Sequence, residues 1–351
     1  MEEKLFDSEF FSKLNTMKMI TRMRLNGGMS GQRKSSAKGN SVEFSDFREY
    51  IPGDDIRRID WNVYGRMDKL FIKEFMEEKE GLFHVIIDCS KSMDFGAKNK
   101  SIQARRIAAM ISYMVLNNLD RVYLTSLHGE TSVTTKGMTG RQAFSKVLSE
   151  LERMEFWGET SLCKAVKKLP LKQKGVVILI SDFLRSEEDS SKKAVERETV
   201  FKQIGRKKVT DRLGIAQNVT EEKQKGDYLE ELIRYLRFHK QEVILVQVLS
   251  KEEENPLGEG TLELLDIENE TRMKVTMTNV ALKEYDRSLK EFKSNIKRIC
   301  KKYQAGYIPV TTEEALETVM YKGIKVVPEF ARSIGFSQEL CNSPPVPMTS
   351  K

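Results

Sequence analysis

Three short apolar runs, at 82–88, 176–181 and 243–249, constrain this chain more than any other feature. Each is nearly continuous rather than alternating: Leu82-Phe83-His84-Val85-Ile86-Ile87-Asp88, Val176-Val177-Ile178-Leu179-Ile180-Ser181 and Val243-Ile244-Leu245-Val246-Gln247-Val248-Leu249. A strand with one wet face alternates apolar and polar residues. Unbroken runs of this length therefore mark strands covered on both faces, as in parallel sheets. Arg121 to Leu127 supplies a fourth strand and Ser132 to Thr135 a short fifth. Helical spacing fills the gaps, near 101–118, 140–154, 160–168 and 227–239. Strands alternating with helices predict an α/β fold with a doubly wound, mostly parallel sheet. In such sheets ligands bind beyond the carboxyl ends of the strands.

The flanks read differently. Residues 8–25 carry Phe10, Leu14, Met17 and Thr21 at helical spacing. Asn26 to Asn40, rich in Gly, Ser and Lys, reads as a basic, mobile linker. Val42-Glu43-Phe44 and Leu70 to Phe75 are strand-like, with a turn signal at Pro52-Gly53-Asp54-Asp55 between them. Asp54, Asp55, Arg57, Arg58 and Asp60 suit a salt-bridged turn better than a partner surface, and Trp61 is expected to pack there. Leu262 to Asp266 and Met273 to Thr276 flank a turn and predict a hairpin. Val280 to Lys302 reads as a long charged helix and Tyr307 to Val310 as a last strand. Thr311 to Met320 reads as a last helix, with Thr311 and Glu314 as a capping box. The division predicted is an N-terminal mixed α+β segment (1–80, with linker 26–40), an α/β domain (81–325) and a tail (326–351). The domain carries a charged insertion near 185–226 and the C-terminal hairpin.

Composition narrows the function classes. No apolar run approaches the roughly 20 residues that span a bilayer, and Met1-Glu2-Glu3-Lys4 lacks signal-peptide order. Cys89, Cys163, Cys300 and Cys341 form no CxxC pair, which suits a reduced, cytoplasmic protein. His84, His128 and His239 are far apart in sequence, so zinc ligation is not expected. The net charge of +7 is uneven. Residues 192–225 hold ten Lys or Arg against five Asp or Glu, and 13–38 hold seven basic residues and no acidic one. Neither stretch interleaves aromatics for base stacking, so solvated faces are favoured over nucleic-acid binding.

The chemistry concentrates at Asp88-Cys89-Ser90-Lys91-Ser92, where the first buried run ends. A carboxylate and two hydroxyls leave the strand together as hard oxygen ligands, which suit a divalent cation such as Mg²⁺. Two other loops of the same edge add donors: Thr160, in Gly158-Glu159-Thr160-Ser161, and Asp182, after the second run. Hydroxyls outnumber carboxylates in this set, so the cation stays electrophilic and takes a further carboxylate from a partner. Cys89 is expected to point inward as a buried thiol.

Asp88-x-Ser90-x-Ser92, then Thr160, then Asp182, resembles the metal-ion-dependent adhesion site (MIDAS) of von Willebrand factor A domains. The stretch from Gly39 to Trp61, with Phe44-Ser45-Asp46-Phe47-Arg48-Glu49-Tyr50 and Pro52-Gly53-Asp54-Asp55-Ile56-Arg57-Arg58-Ile59-Asp60-Trp61, resembles the signature of DUF58 proteins. The resemblance implies that Ser90, Ser92 and Thr160 contact Mg²⁺, or Mn²⁺ or Ca²⁺, while Asp88 and Asp182 mostly hold its waters. It also implies a MoxR-type AAA+ ATPase as partner, with this chain as adaptor or co-chaperone. Two features depart from the DUF58 pattern: many members carry a pair of transmembrane helices before the signature, which are not seen here, and the basic 185–226 stretch is longer than a simple strand-to-helix connection needs. Within the adhesion-site pattern, the usual small residue before the threonine is Glu159.

The chain has no GxxxxGK[ST] loop, so ATP hydrolysis is not expected of it. A non-enzymatic, cation-dependent protein-binding module is the expected function. Nucleic-acid binding through 13–38 and 192–225 is the alternative. A Mg²⁺-dependent phosphohydrolase ranks lower, because such enzymes set two or more carboxylates directly on the metal.

Overall fold

The structure, a computed structural model, describes residues 5–16, 38–76, 81–159, 161–171, 173–184, 228–255, 260–265, 272–277 and 279–326. The basic stretch 192–225, the insertion 185–226 and the tail beyond 326 lie outside the described residues, as do Thr160 and most of 13–38.

The strands are β1 (Lys38–Glu49), β2 (Phe71–Met76), β3 (Leu82–Asp88), β4 (Arg121–His128), β5 (Thr131–Thr134), β6 (Met138–Thr139), β7 (Gly175–Ser181), β8 (Gln241–Leu249), β9 (Gly260–Leu265), β10 (Arg272–Met277) and β11 (Gly306–Thr311). The helices are α1 (8–16), α2 (Trp61–Met67), α3 (Lys100–Asn117), α4 (Phe144–Glu152), α5 (Leu162–Lys167), α6 (Tyr228–Phe238), α7 (Lys251–Glu254), α8 (Asn279–Lys302) and α9 (Leu316–Val326).

The main sheet runs β11-β8-β7-β3-β4-β5, and β6 also pairs with β4. β11, β8, β7, β3 and β4 are mutually parallel, while β5 and β6 run antiparallel to β4. The chain enters at the centre on β3 and moves outward through β4. It then crosses back to β7 and moves outward the other way. β3 and β7 are therefore neighbours whose onward connections diverge, which opens a crevice at their carboxyl ends. Their ladder runs from Phe83–Val176 to Ile87–Ile180, so Asp88 and Ser181 come next on that shared edge.

The pleat sorts the core into two layers. Phe83, Val85, Ile87, Val176, Ile178 and Ile180 face α3, α4 and α9. Ile86, Val177, Leu179, Val243 and Leu245 face α5, α6 and α8. Successive side chains of a strand point to opposite faces, which is why these runs show no alternation of polarity. Phe10 and Leu14 of α1 are buried in the first layer, and Arg106 of α3 holds that segment through the Leu5 carbonyl and Asp7. Outside the sheet, β9 and β10 form the expected hairpin, and β1 pairs with β2.

Four expectations are corrected. Lys38 to Asn40 lie within β1, which starts inside the stretch expected as a linker because Lys38 pairs with Met76 of β2 ahead of a register shift. Thr311 is the last residue of β11 and pairs with Leu249, and a turn through Glu314 separates it from the helix, so it does not cap that helix. α9 starts only at Leu316. Trp61 is 61 % exposed and meets Tyr64 edge-on rather than packing beneath the turn. The short strand β6 and helix α7 were not expected. The acidic turn itself is structural as expected: Asp54 pairs with Arg48 at 2.8 Å, Asp60 pairs with Lys73 at 2.9 Å, and Asp55 and Asp60 cap the helical turns that follow them.

Candidate functional site

Asp88 ends β3 and is 4 % exposed. Its Oδ1 accepts the Ser90 N–H at 3.1 Å, a tight turn that brings the Ser90 hydroxyl back towards the strand end. Its Oδ2 accepts the Ser181 hydroxyl of β7 at 2.7 Å. Ser90 Oγ lies 3.0 Å from Ser92 Oγ, so the two hydroxyls form a pair. The loop is pinned by its backbone: Cys89 N–H donates to Leu127, Lys91 N–H to Gly158, and Trp157 N–H to Cys89. Cys89 is buried, and burial pushes its thiol up to about 12, which disfavours the thiolate.

Asp182 follows β7 and is 1 % exposed. Its Oδ1 accepts the Leu184 N–H at 3.0 Å and its Oδ2 accepts Lys100 Nζ at 2.8 Å. The turn that sets this carboxylate passes through Phe183 at φ +58°, an uncommon conformation for a bulky residue. Ser181 accepts the Phe183 N–H at 2.9 Å while donating to Asp88. Gln247 donates to the Asp182 carbonyl at 3.0 Å, and Tyr307 donates to Gln247. Strands β8 and β11 thus buttress the β7 turn from behind.

Lys100, the first residue of α3, is fully buried. Its ammonium donates to Asp182 and, at 2.6 Å, to Glu253 of α7. Burial alone pulls a lysine down, but here the charges of Asp182 and Glu253 outweigh it and the net direction is up. Burial pushes Glu253 upward. Burial, followed by the charge of Asp182, lifts Asp88 to about 6. Two carboxylates therefore feel each other across the β3–β7 crevice.

Asp88, Ser90, Ser92 and Asp182 are thus gathered at one sheet edge. Thr160 lies outside the described residues. Its neighbours Glu159 and Ser161 are tied to Gly129 by backbone hydrogen bonds, which carries that loop beside the end of β4. Among the described residues no three His, Cys, Asp or Glu side chains cluster as ligands, so the donor set is mixed carboxylate and hydroxyl. That chemistry fits a hard cation that retains water. Sequence reasoning did not find Lys100, Ser181 or Glu253. For Glu253 a signal exists, because Ser250-x-x-Glu253 after a buried strand is a capping-box pattern, and both of its hydrogen bonds form.

The loop before α3 docks on that same cap. A Cβ on Gly96 (φ +98°) would lie 2.8 Å from Ser250 Cβ and 3.2 Å from the Lys98 carbonyl. Gly96→Ala is therefore expected to cost about 2–4 kcal/mol through strain and overpacking. A urea midpoint equal to wild type would show that the loop is not held there.

A family model described as "Protein of unknown function DUF58" matches residues 46–294, well over half of the chain. The chain belongs to the DUF58 family. Uncharacterized proteins of Mycobacterium bovis and Mycobacterium tuberculosis are 26 % identical to this DUF58 chain over 185 residues, which is 51 % of it. The match covers 58 % of their length, so the chain spans little more than half of these relatives. Among solved structures it is similar to the conserved hypothetical protein BatB from Bacteroides thetaiotaomicron, at 10 % identity and a TM-score of 0.38, covering 72 % of this chain and 99 % of that one. It is also similar to the SpRpn10 VWA domain, at 8 % identity and a TM-score of 0.36, covering 70 % and 95 %. At these scores the strand order alone carries the fold class. No helix among the described residues is long and apolar enough to cross a membrane.

Proposed function

We propose that this DUF58 protein is a non-enzymatic, divalent-cation-dependent protein-binding module. Its site is Asp88, Ser90, Ser92, Thr160 and Asp182. One observation supports this above the rest: Asp88, Ser90, Ser92 and Asp182 converge at the crevice between β3 and β7. Mg²⁺ held there by hydroxyls and water would retain enough charge to take a carboxylate from a partner protein. Among the described residues Cys89 is a buried thiol and His128 stacks on Trp157, so neither is presented to the site as a nucleophile or base. By family resemblance the module works as an adaptor with a MoxR-type AAA+ ATPase, which would supply the energy for assembling or activating other complexes.

Millimolar Mg²⁺ is expected to raise the thermal midpoint. An ion at one hundred times its Kd adds about 2.7 kcal/mol. The same addition to Asp88→Ala is expected to leave the midpoint unmoved. A wild-type midpoint indifferent to Mg²⁺, Mn²⁺ and Ca²⁺ would end the cation reading.

A further inference from the structure

We propose that Lys100 is a tethered cation that competes with the divalent ion for Asp182, and that Glu253 is the seat to which it retreats when the ion binds. The inference rests on the cation reading of the site and adds to it what sets the ion's affinity.

Lys100 breaks two rules at once. A lysine with no exposed surface is rare, and an ammonium at a helix N-terminus faces the positive end of the helix dipole. α3 has no acidic residue in its first turn to offset this. The compensation comes from Asp182 and Glu253, 82 and 153 residues away in sequence. Such a departure from local preference marks a position held for a purpose other than helix stability.

The geometry makes the two carboxylates unequal. Oδ1 of Asp182 is held by the Leu184 N–H in the turn through Phe183, so Oδ2 is the oxygen free to turn towards an ion, and Lys100 sits on it. Oε2 of Glu253 is held by the Ser250 N–H in the capping box, which leaves Oε1 aimed at Lys100. Glu253 is therefore a preformed second seat. In a dry interior the repulsion between an ammonium and a divalent ion sharing one carboxylate is large. The ammonium now bridges both carboxylates, so ion entry requires it to give up Asp182 and keep Glu253 alone, and the ion concentration at which the site fills is raised accordingly.

The test is a calorimetric titration with Mn²⁺, with free Mn²⁺ followed in parallel by electron paramagnetic resonance. Wild type, Lys100→Met and Glu253→Gln are compared, with folding checked by circular dichroism. Lys100→Met is expected to bind Mn²⁺ at least tenfold more tightly. Glu253→Gln, which leaves Lys100 no seat but Asp182, is expected to bind severalfold more weakly. Equal affinity in wild type and folded Lys100→Met overturns the role of Lys100 and leaves the cation reading standing. If Lys100→Met does not fold, Glu253→Gln decides, and an unchanged or tighter affinity overturns the proposal. Absence of Mn²⁺ binding in every protein defeats the cation reading and this inference together.

Discussion

An Asp182→Asn/Glu253→Gln double variant is expected to lose about 3–5 kcal/mol of stability at neutral pH, the range seen when a buried charge loses its partners. Lys100 has no exposed surface, so water cannot replace the two carboxylates. The amine has one escape, which is to shed its proton, and its pKa would then fall from its present raised position. The loss is therefore expected to shrink as pH rises towards 10. Adding Lys100→Met to the double variant should recover most of it, because a buried ion cluster replaced as a whole by neutral groups is often tolerated. Urea unfolding of the three proteins at pH 7 and pH 9.5 reads both effects. A double variant within 1 kcal/mol of wild type, or a triple variant no better than the double, would mean that Lys100 is hydrated.

His84→Phe is expected to tilt the acid-side pH profile of the protein, making stability fall as pH rises from about 4 to about 6. Asp88 and His84 pull in opposite directions over one window. Burial raises Asp88 to about 6 from its ordinary value, so between about pH 4 and 6 the native state keeps a proton that the unfolded chain has lost. Stability falls as pH rises there, by about 3 kcal/mol in total. Burial lowers His84 to about 4, so the unfolded chain binds a proton below its ordinary 6.5 that the native state refuses. Stability rises with pH through that window, also by about 3 kcal/mol. The two nearly cancel in wild type. With His84 replaced by Phe, which preserves a ring to stack on Tyr123, stability should drop relative to wild type from pH 4 to 6. In Asp88→Asn it should climb relative to wild type. Chelator is needed, since a bound cation would hold Asp88 ionised. Parallel profiles for the three proteins would refute both assignments.

The sheet was legible because its central strands are wet on neither face. β3, β7 and β8 begin and end within two residues of their apolar runs. Asp88 and Asp182 were legible for the same reason, because a carboxylate that terminates a buried run must sit at the sheet edge. Lys100 was not. In Lys98-Asn99-Lys100 it looks like any solvated lysine opening a helix, and its burial is decided by partners on two distant segments. Ser181 was passed over because a hydroxyl closing an apolar run reads as a boundary, whereas it bridges two strands of the site. The pattern Thr311-x-x-Glu314 resembles a capping box, but the chain uses those residues for the end of β11 and a turn, and the helix starts only at Leu316.

Pro309 in β11 has a consequence of another kind. β11 pairs with β8 alone, so it forms a margin of the sheet among the described residues. A proline has no N–H to offer, so a strand arriving at that margin meets a gap in the row of donors. Lys322 reaches over from α9 and bonds the Pro309 carbonyl, which occupies an acceptor at the same place. That flank is therefore a poorer template for an added strand than an unbroken edge, since one donor is missing and one acceptor is already taken at the same residue.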